Sequence, residues 1–172
     1  MKFSVKSEYA VSAVLDMALN ADKGPVHVKA IAKRQAIPMR FLEQVMASLK
    51  KSGIVDSIRG AQGGYVLSRP PGMISIANIV EAIEGPIAPV DSSNGAFEEK
   101  GYQTNGCVIK EVWEDVKKAV AETLSKVSID DMCRKKRERE VEELEKKEKL
   151  HPQPRKVSPV ATDIINLSLP VA

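Results

Sequence analysis

Residues 38–65, PMRFLEQVMASLKKSGIVDSIRGAQGGY, decide the fold. Pro38 suits the opening turn of a helix, where its missing N–H costs nothing. After it, Leu42, Val45, Met46 and Leu49 recur at three- and four-residue spacing, which lays an apolar stripe along one face. Arg40, Glu43, Gln44, Ala47 and Lys51 fall on the other faces. Ser52-Gly53 ends the helix, because glycine reaches the left-handed conformation cheaply. Residues 54–58 and 65–68 then read as short strands, rich in branched and aromatic side chains, with Gly60, Gly63 and Gly64 turning the chain between them. A helix polar on one side and followed at once by a glycine-tipped hairpin is the reading end of a winged helix-turn-helix.

The flanks complete that unit. Residues 7–20 read as a helix capped by Ser7, with Ala10, Val14, Met17 and Ala18 on one face and Val11, Leu15 and Leu19 widening it. Gly24-Pro25 breaks it. Residues 28–35 form a short second helix with Ile31 and Ala32 inward. Beyond the hairpin and Pro70-Pro71-Gly72, residues 75–84 form a helix that turns Ile76, Ile79, Val80 and Ile83 inward and stops at Gly85-Pro86. Residues 91–106 are polar and weakly periodic and read as a loop; loops of this length are often functional.

Residues 108–127 form a long amphipathic helix, with Ile109, Val112, Trp113, Val116, Val120, Thr123 and Val127 at helical spacing. That stripe is longer than a small winged domain needs for itself, so a second copy of the chain is expected to cover it. Ser128-Ile129-Asp130-Asp131 starts a further helix with a plausible cap. From 134 to 150 nearly every residue is charged, and Glu142–Lys146, Glu143–Lys147 and Glu145–Lys149 are favourable i,i+4 pairs, as expected of a solvated helix. After His151-Pro152-Gln153-Pro154 a flexible tail is expected. The fold class is therefore mainly α with a small β-hairpin wing: a winged helix-turn-helix plus a long dimerisation helix.

The chemistry of the winged unit points to double-stranded DNA. A recognition helix inserts its first turns in the major groove, where base edges are distinguishable. Arg40 and Gln44 suit hydrogen bonds to base edges, and Glu43 can accept from cytosine N4 or reject a wrong base. Arg59 leads the hairpin turn, where a guanidinium can enter a narrow minor groove. The formal charge is only +3, but residues 1–70 hold eleven bases against five acids, a local +6 able to replace condensed counterions on DNA.

Other classes are excluded or weakened. No apolar run approaches the roughly 20 residues that span a bilayer, and the first residues lack the apolar segment of a secretory signal, so a soluble, cytoplasmic protein without a membrane partner is expected. His27 and His151 are the only histidines, neither beside a plausible nucleophile, and no phosphate loop or carboxylate pair stands out, so the chain is not expected to be an enzyme. The two cysteines, Cys107 and Cys133, cannot make a secreted-type disulfide scaffold and show no CxxC spacing, which leaves them as free thiols or metal ligands. A winged helix can also bind proteins, so an interaction module acting through a partner enzyme is the competing reading.

The sequence resembles the Rrf2 family of transcription regulators over about its first 130 residues. The matching segments are SVKSEYA (4–10), FLEQ (41–44), IRGAQGGYVL (58–67), EGPIAPV (84–90) and CVIKEVWEDV (107–116). The resemblance implies a homodimer on a palindromic operator, with the helix at 108–127 crossing to the partner subunit and base readers at Arg40, Glu43, Gln44 and Arg59. Arg40 departs from the small hydroxyl residue of a well-known member, so the operator sequence is not transferred. It also implies a role in iron–sulfur or cysteine and sulfur homeostasis, and a possible protein co-regulator. Many members hold a 2Fe–2S cluster through three cysteines, and one well-known member uses a histidine nearby. Here only Cys107 matches; Gly95 and Gly101 stand at the other cysteine places and Lys110 at the histidine place. No resident cofactor is expected for the chain as written. It is then a cluster-free member, a thiol sensor through Cys107, or a chain with cysteines replaced, since Ser92, Ser93 and Ala96 are common replacement types. The expected organisation is a DNA-binding domain at 1–90, a sensor loop at 91–107, a dimerisation region at 108–133, and a charged helix with its tail at 134–172.

Overall fold

The computed structural model describes residues 3–60, 62–86 and 106–150, and of residues 106–110, 148 and 149 the backbone only. Of the loop expected at 91–106, Gly106 instead opens the helix Gly106–Ser125 and the rest lies outside the described residues, as does the tail after 150. The chain divides into two units, Met1–Arg137 and Glu138–Ala172.

In the first unit, α1 (Val5–Leu19), α2 (Val28–Gln35) and α3 (Met39–Lys51) precede an antiparallel hairpin of β1 (Val55–Ile58) and β2 (Gly64–Leu67). Then come α4 (Ile76–Glu84), α5 (Gly106–Ser125) and α6 (Ile129–Leu150), of which the start belongs to this unit. The hairpin pairs Val55 with Leu67 and Ile58 with Gly64. One core joins α1 to α4, the hairpin and the start of α6: Met17 of α1, Ile31 of α2, Leu42, Met46 and Leu49 of α3, and Ile79 of α4 are all buried in it. The stripe expected on α3 is thus the face it turns inward.

α1 starts earlier than its sequence pattern suggests. Ser4, not Ser7, is its N-cap, and the Ser4 hydroxyl accepts from the Ser7 N–H. Ser7 is buried, and its hydroxyl donates to Glu84 Oε1 at 2.6 Å, while the Ser4 N–H donates to the same oxygen at 2.9 Å. These bonds to the charged form hold the Glu84 carboxyl below its ordinary range, with burial opposing them.

Two short pairings tie the segments together. Val26 and Tyr65 exchange backbone hydrogen bonds, both 2.9 Å, so Val26, two residues before α2, extends the hairpin by one bridge. Ile76 N–H donates to Val127 O and Ile129 N–H to Ile74 O, also 2.9 Å each, joining the entries to α4 and α6. Ile129 and Cys133 are buried in the main core and Met132 packs against it, so the first turn of α6 is anchored there. At that entry the Ser128 hydroxyl accepts from the Asp131 N–H at 3.1 Å and donates to Asp131 Oδ2 at 2.7 Å. The Ser128 N–H also reaches Oδ2, and Arg134 pairs with the other oxygen, so the Asp131 carboxyl is held down at about 2.

α5 is packed along only part of its length. Val120, Ala121 and Leu124 lie against Ala77 and Val80 of α4 and against Phe3. Val112, Trp113 and Val116 remain 56, 42 and 38% exposed.

In the second unit, the described residues continue α6 to Leu150. They are mostly charged, with Val141 and Leu144 exposed. No helix among the described residues is long and apolar enough to cross a membrane.

Candidate nucleic-acid interface

The helix-turn-helix is fixed by its turn and by one ion pair. Ala36 takes φ 52°, and Ile37 N–H reaches back to Ala32 O at 3.0 Å, a Schellman-type ending that lets α3 leave α2 sharply. Ile37 is buried beneath it. Asp16 of α1, itself buried, accepts from Arg34 Nε at 2.8 Å and Nη2 at 2.5 Å and from Gln35 Nε2 at 2.8 Å. That fork-on-carboxylate pairing holds the end of α2 against α1 and so sets where α3 begins.

On α3, Arg40, Glu43 and Gln44 are all exposed, opposite the buried Leu42, Val45, Met46 and Leu49. Arg40, Gln44, Ala47 and Lys51 run along one outward line at three- and four-residue steps. Arg59 is exposed too and directly follows β1 at the start of the hairpin turn. All four expected base readers are therefore solvent-facing, three on the helix and one on the wing. Cys107 lies in the first turn of α5, Gly106–Ser125, and its side chain is outside the described residues, as is that of Lys110; Gly95 and Gly101 are outside altogether.

The wing is held in a fixed relation to α3. Lys50 Nζ donates to Ser57 Oγ at 2.5 Å, and Ser68 Oγ donates to Gly53 O. Two glycines are obligatory here, Gly63 in the turn and Gly64 at the start of β2. A Cβ on Gly63 would lie 2.2 Å from Ile58 O, and one on Gly64, at φ 156°, would lie 2.8 Å from Val26 O.

Sequence reasoning missed a cleft between the helices and the hairpin. Its volume is about 670 Å³, and His27, Lys29, Met39, Ser57, Ile58 and Tyr65 are among the residues that line it. It forms because Val26 pairs with Tyr65 and pulls the start of α2 beside the wing. That bridge joins residues 39 apart and carries no local pattern, so no sequence period announces it.

Cys133 is 3% exposed within the core, and burial pushes its thiol up, so it packs as a small apolar residue. Among the described residues no group of three or more His, Cys, Asp or Glu could hold a metal ion.

Comparison with known proteins agrees with this geometry. Residues 3–135 match the Rrf2 family, described as an iron-dependent transcriptional regulator. The HTH-type transcriptional regulator IscR of Salmonella agona is 32% identical over 171 residues, 98% of this chain and 99% of that protein. The solved structure of T. potens IscR superposes with a TM-score of 0.62 at 38% identity, covering 78% of this chain and 88% of its own. That of CymR, titled the global cysteine regulator of B. subtilis, gives 0.63 at 32% identity, covering 77% and 96%.

Proposed function

The chain belongs to the Rrf2 family of winged-helix, DNA-binding transcriptional regulators, and from that premise we propose that it reads a palindromic operator as a homodimer. The observation that carries this reading is the pairing of two solvent-facing surfaces. One is the line of Arg40, Glu43 and Gln44 on α3 beside Arg59 of the wing; the other is the half-exposed stripe of Val112, Trp113 and Val116 on α5. Burying that stripe in a second copy removes apolar area that a monomer leaves in water, at about 25 cal/mol per Å². A twofold partner then presents two recognition helices to half-sites one helical turn apart, about 34–36 Å. Arg40, Glu43 and Gln44 read base edges in the major groove, and Arg59 reads the narrow minor groove beside them.

The donor set does not fit a conventional iron–sulfur cluster in one subunit. The chain has two cysteines, and one of them, Cys133, is a core side chain whose thiol is pushed up by burial. No step of the proposed function runs through a cluster. Residues 91–107 are read as the sensor segment, with Cys107 its one matching thiol. We read the targets as genes of iron–sulfur or cysteine homeostasis, a reading supported by the family's description as iron-dependent and by the cysteine-regulator title of CymR, and the site of action as the cytoplasm.

Sedimentation of the full chain with and without Val116→Glu tests the dimer. The wild type is expected to sediment as a dimer and the variant as a monomer with weak operator binding. An unchanged dimer for Val116→Glu removes this interface.

A further inference from the structure

One sugar–phosphate strand separates the major groove of DNA from the neighbouring minor groove. A protein with α3 in one and the Arg59 turn in the other must let that strand pass between them. In this chain the surface between α3 and the hairpin is the 670 Å³ cleft, bounded by Met39 of α3, by Ser57 and Ile58 of β1, and by His27 and Lys29 at the start of α2. We infer that this cleft seats the sugar–phosphate strand, with Lys29 pairing a phosphate and Met39 and Ile58 packing against deoxyribose. The inference rests on the groove assignment proposed above and adds to it the contact that positions the protein without reading sequence.

Charge complementarity selects the occupant. The lining holds a lysine and a histidine and no carboxylate. Lys29 is exposed, and among the described residues it has no hydrogen bond or ion pair, so its charge is available to displace a counterion. The floor is apolar where a sugar would lie. Ile58, which immediately precedes Arg59, is 47% exposed in the free protein, and a deoxyribose laid over it would take that surface out of water. Ser57 offers a hydroxyl at the same edge and is already bonded to Lys50, which places a second cation beside the path.

The test is phosphate ethylation interference on a duplex recovered from a random pool by the full chain, run together with binding at several salt concentrations. For the wild type, ethylation of one phosphate per half-site, between the bases read by α3 and the flanking minor groove, is expected to block binding. Lys29→Ala should become indifferent to that modification, keep the wild-type sequence preference, and lower the slope of log K against log salt by about one per half-site. Ile58→Ser should weaken binding without changing the slope. An interference pattern and slope in Lys29→Ala identical to the wild type overturn the inference, as does an altered sequence preference. Failure of the parent reading shows differently: Gln44→Ala and Arg59→Ala then leave the recovered sequences unchanged, and this inference falls with it.

Discussion

Gln44 stands on the outward line of α3, one turn from Arg40 and beside Glu43, with no role in the core. Its amide is a donor–acceptor pair able to bond adenine at two points, and such a pair discriminates by about 1–3 kcal/mol. Gln44→Ala should therefore relax preference at one base pair of each half-site by that amount, read as a flattened column in the recovered motif, while the thermal midpoint stays at the wild-type value. Asp131 makes a prediction of the opposite kind, on stability alone. Its folded pKa of about 2 lies below its ordinary 3.8, so its contribution is fully present above about pH 4 and disappears as the pH falls toward 2. The gap in thermal midpoint between wild type and Asp131→Ala should accordingly be wide at pH 5 and closed near pH 2; a gap that persists at pH 2 contradicts the assignment. The exposure of Arg40, Glu43 and Gln44 is legible in the sequence because residue type and helical phase suffice to find a polar face. Lys29 was not legible, since one surface lysine among many carries no mark until the fold brings it beside the wing.

Helices α1 to α3 and the hairpin follow from periodicity and turn residues, and what joins them does not. The Asp16–Arg34–Gln35 bracket spans 18 and 19 residues and looks in the sequence like ordinary helix-surface charge. Asp16→Ala removes charge-assisted bonds from a buried carboxylate while Arg34 stays partly solvated, so a loss of about 2 kcal/mol is expected in a denaturant titration. Operator affinity should fall too, because the bracket sets the start of α3. Gly63→Ala tests the wing. The added methyl meets the carbonyl of Ile58 at 2.2 Å, so the turn must distort at a cost of order 1–3 kcal/mol, with helical content retained and minor-groove preference lost. Full retention of that preference would mean that the turn does not carry Arg59 into the groove. The start of α1 is ambiguous in the sequence for a related reason: Ser4 and Ser7 are both acceptable caps, and only the contact with Glu84, 77 residues from Ser7, decides between them.

In the first unit, the start of α6 proves to be core, because Ile129 and Cys133 are buried there although the residues after them are almost all charged. Composition over a window averages such an anchor away. The half-exposed stripe of α5 was legible as an apolar surplus, since periodicity counts apolar residues regardless of what covers them. What covers that stripe is a matter of the proposed assembly, which no period in a single sequence records. Operator reading by a homodimer is measured most directly by sequencing the duplexes that the full chain recovers from a random pool. A homodimer is expected to recover an inverted repeat whose half-sites lie one helical turn, or a multiple of it, apart. A recovered pool indistinguishable from the input, or a single unrepeated motif, would contradict it.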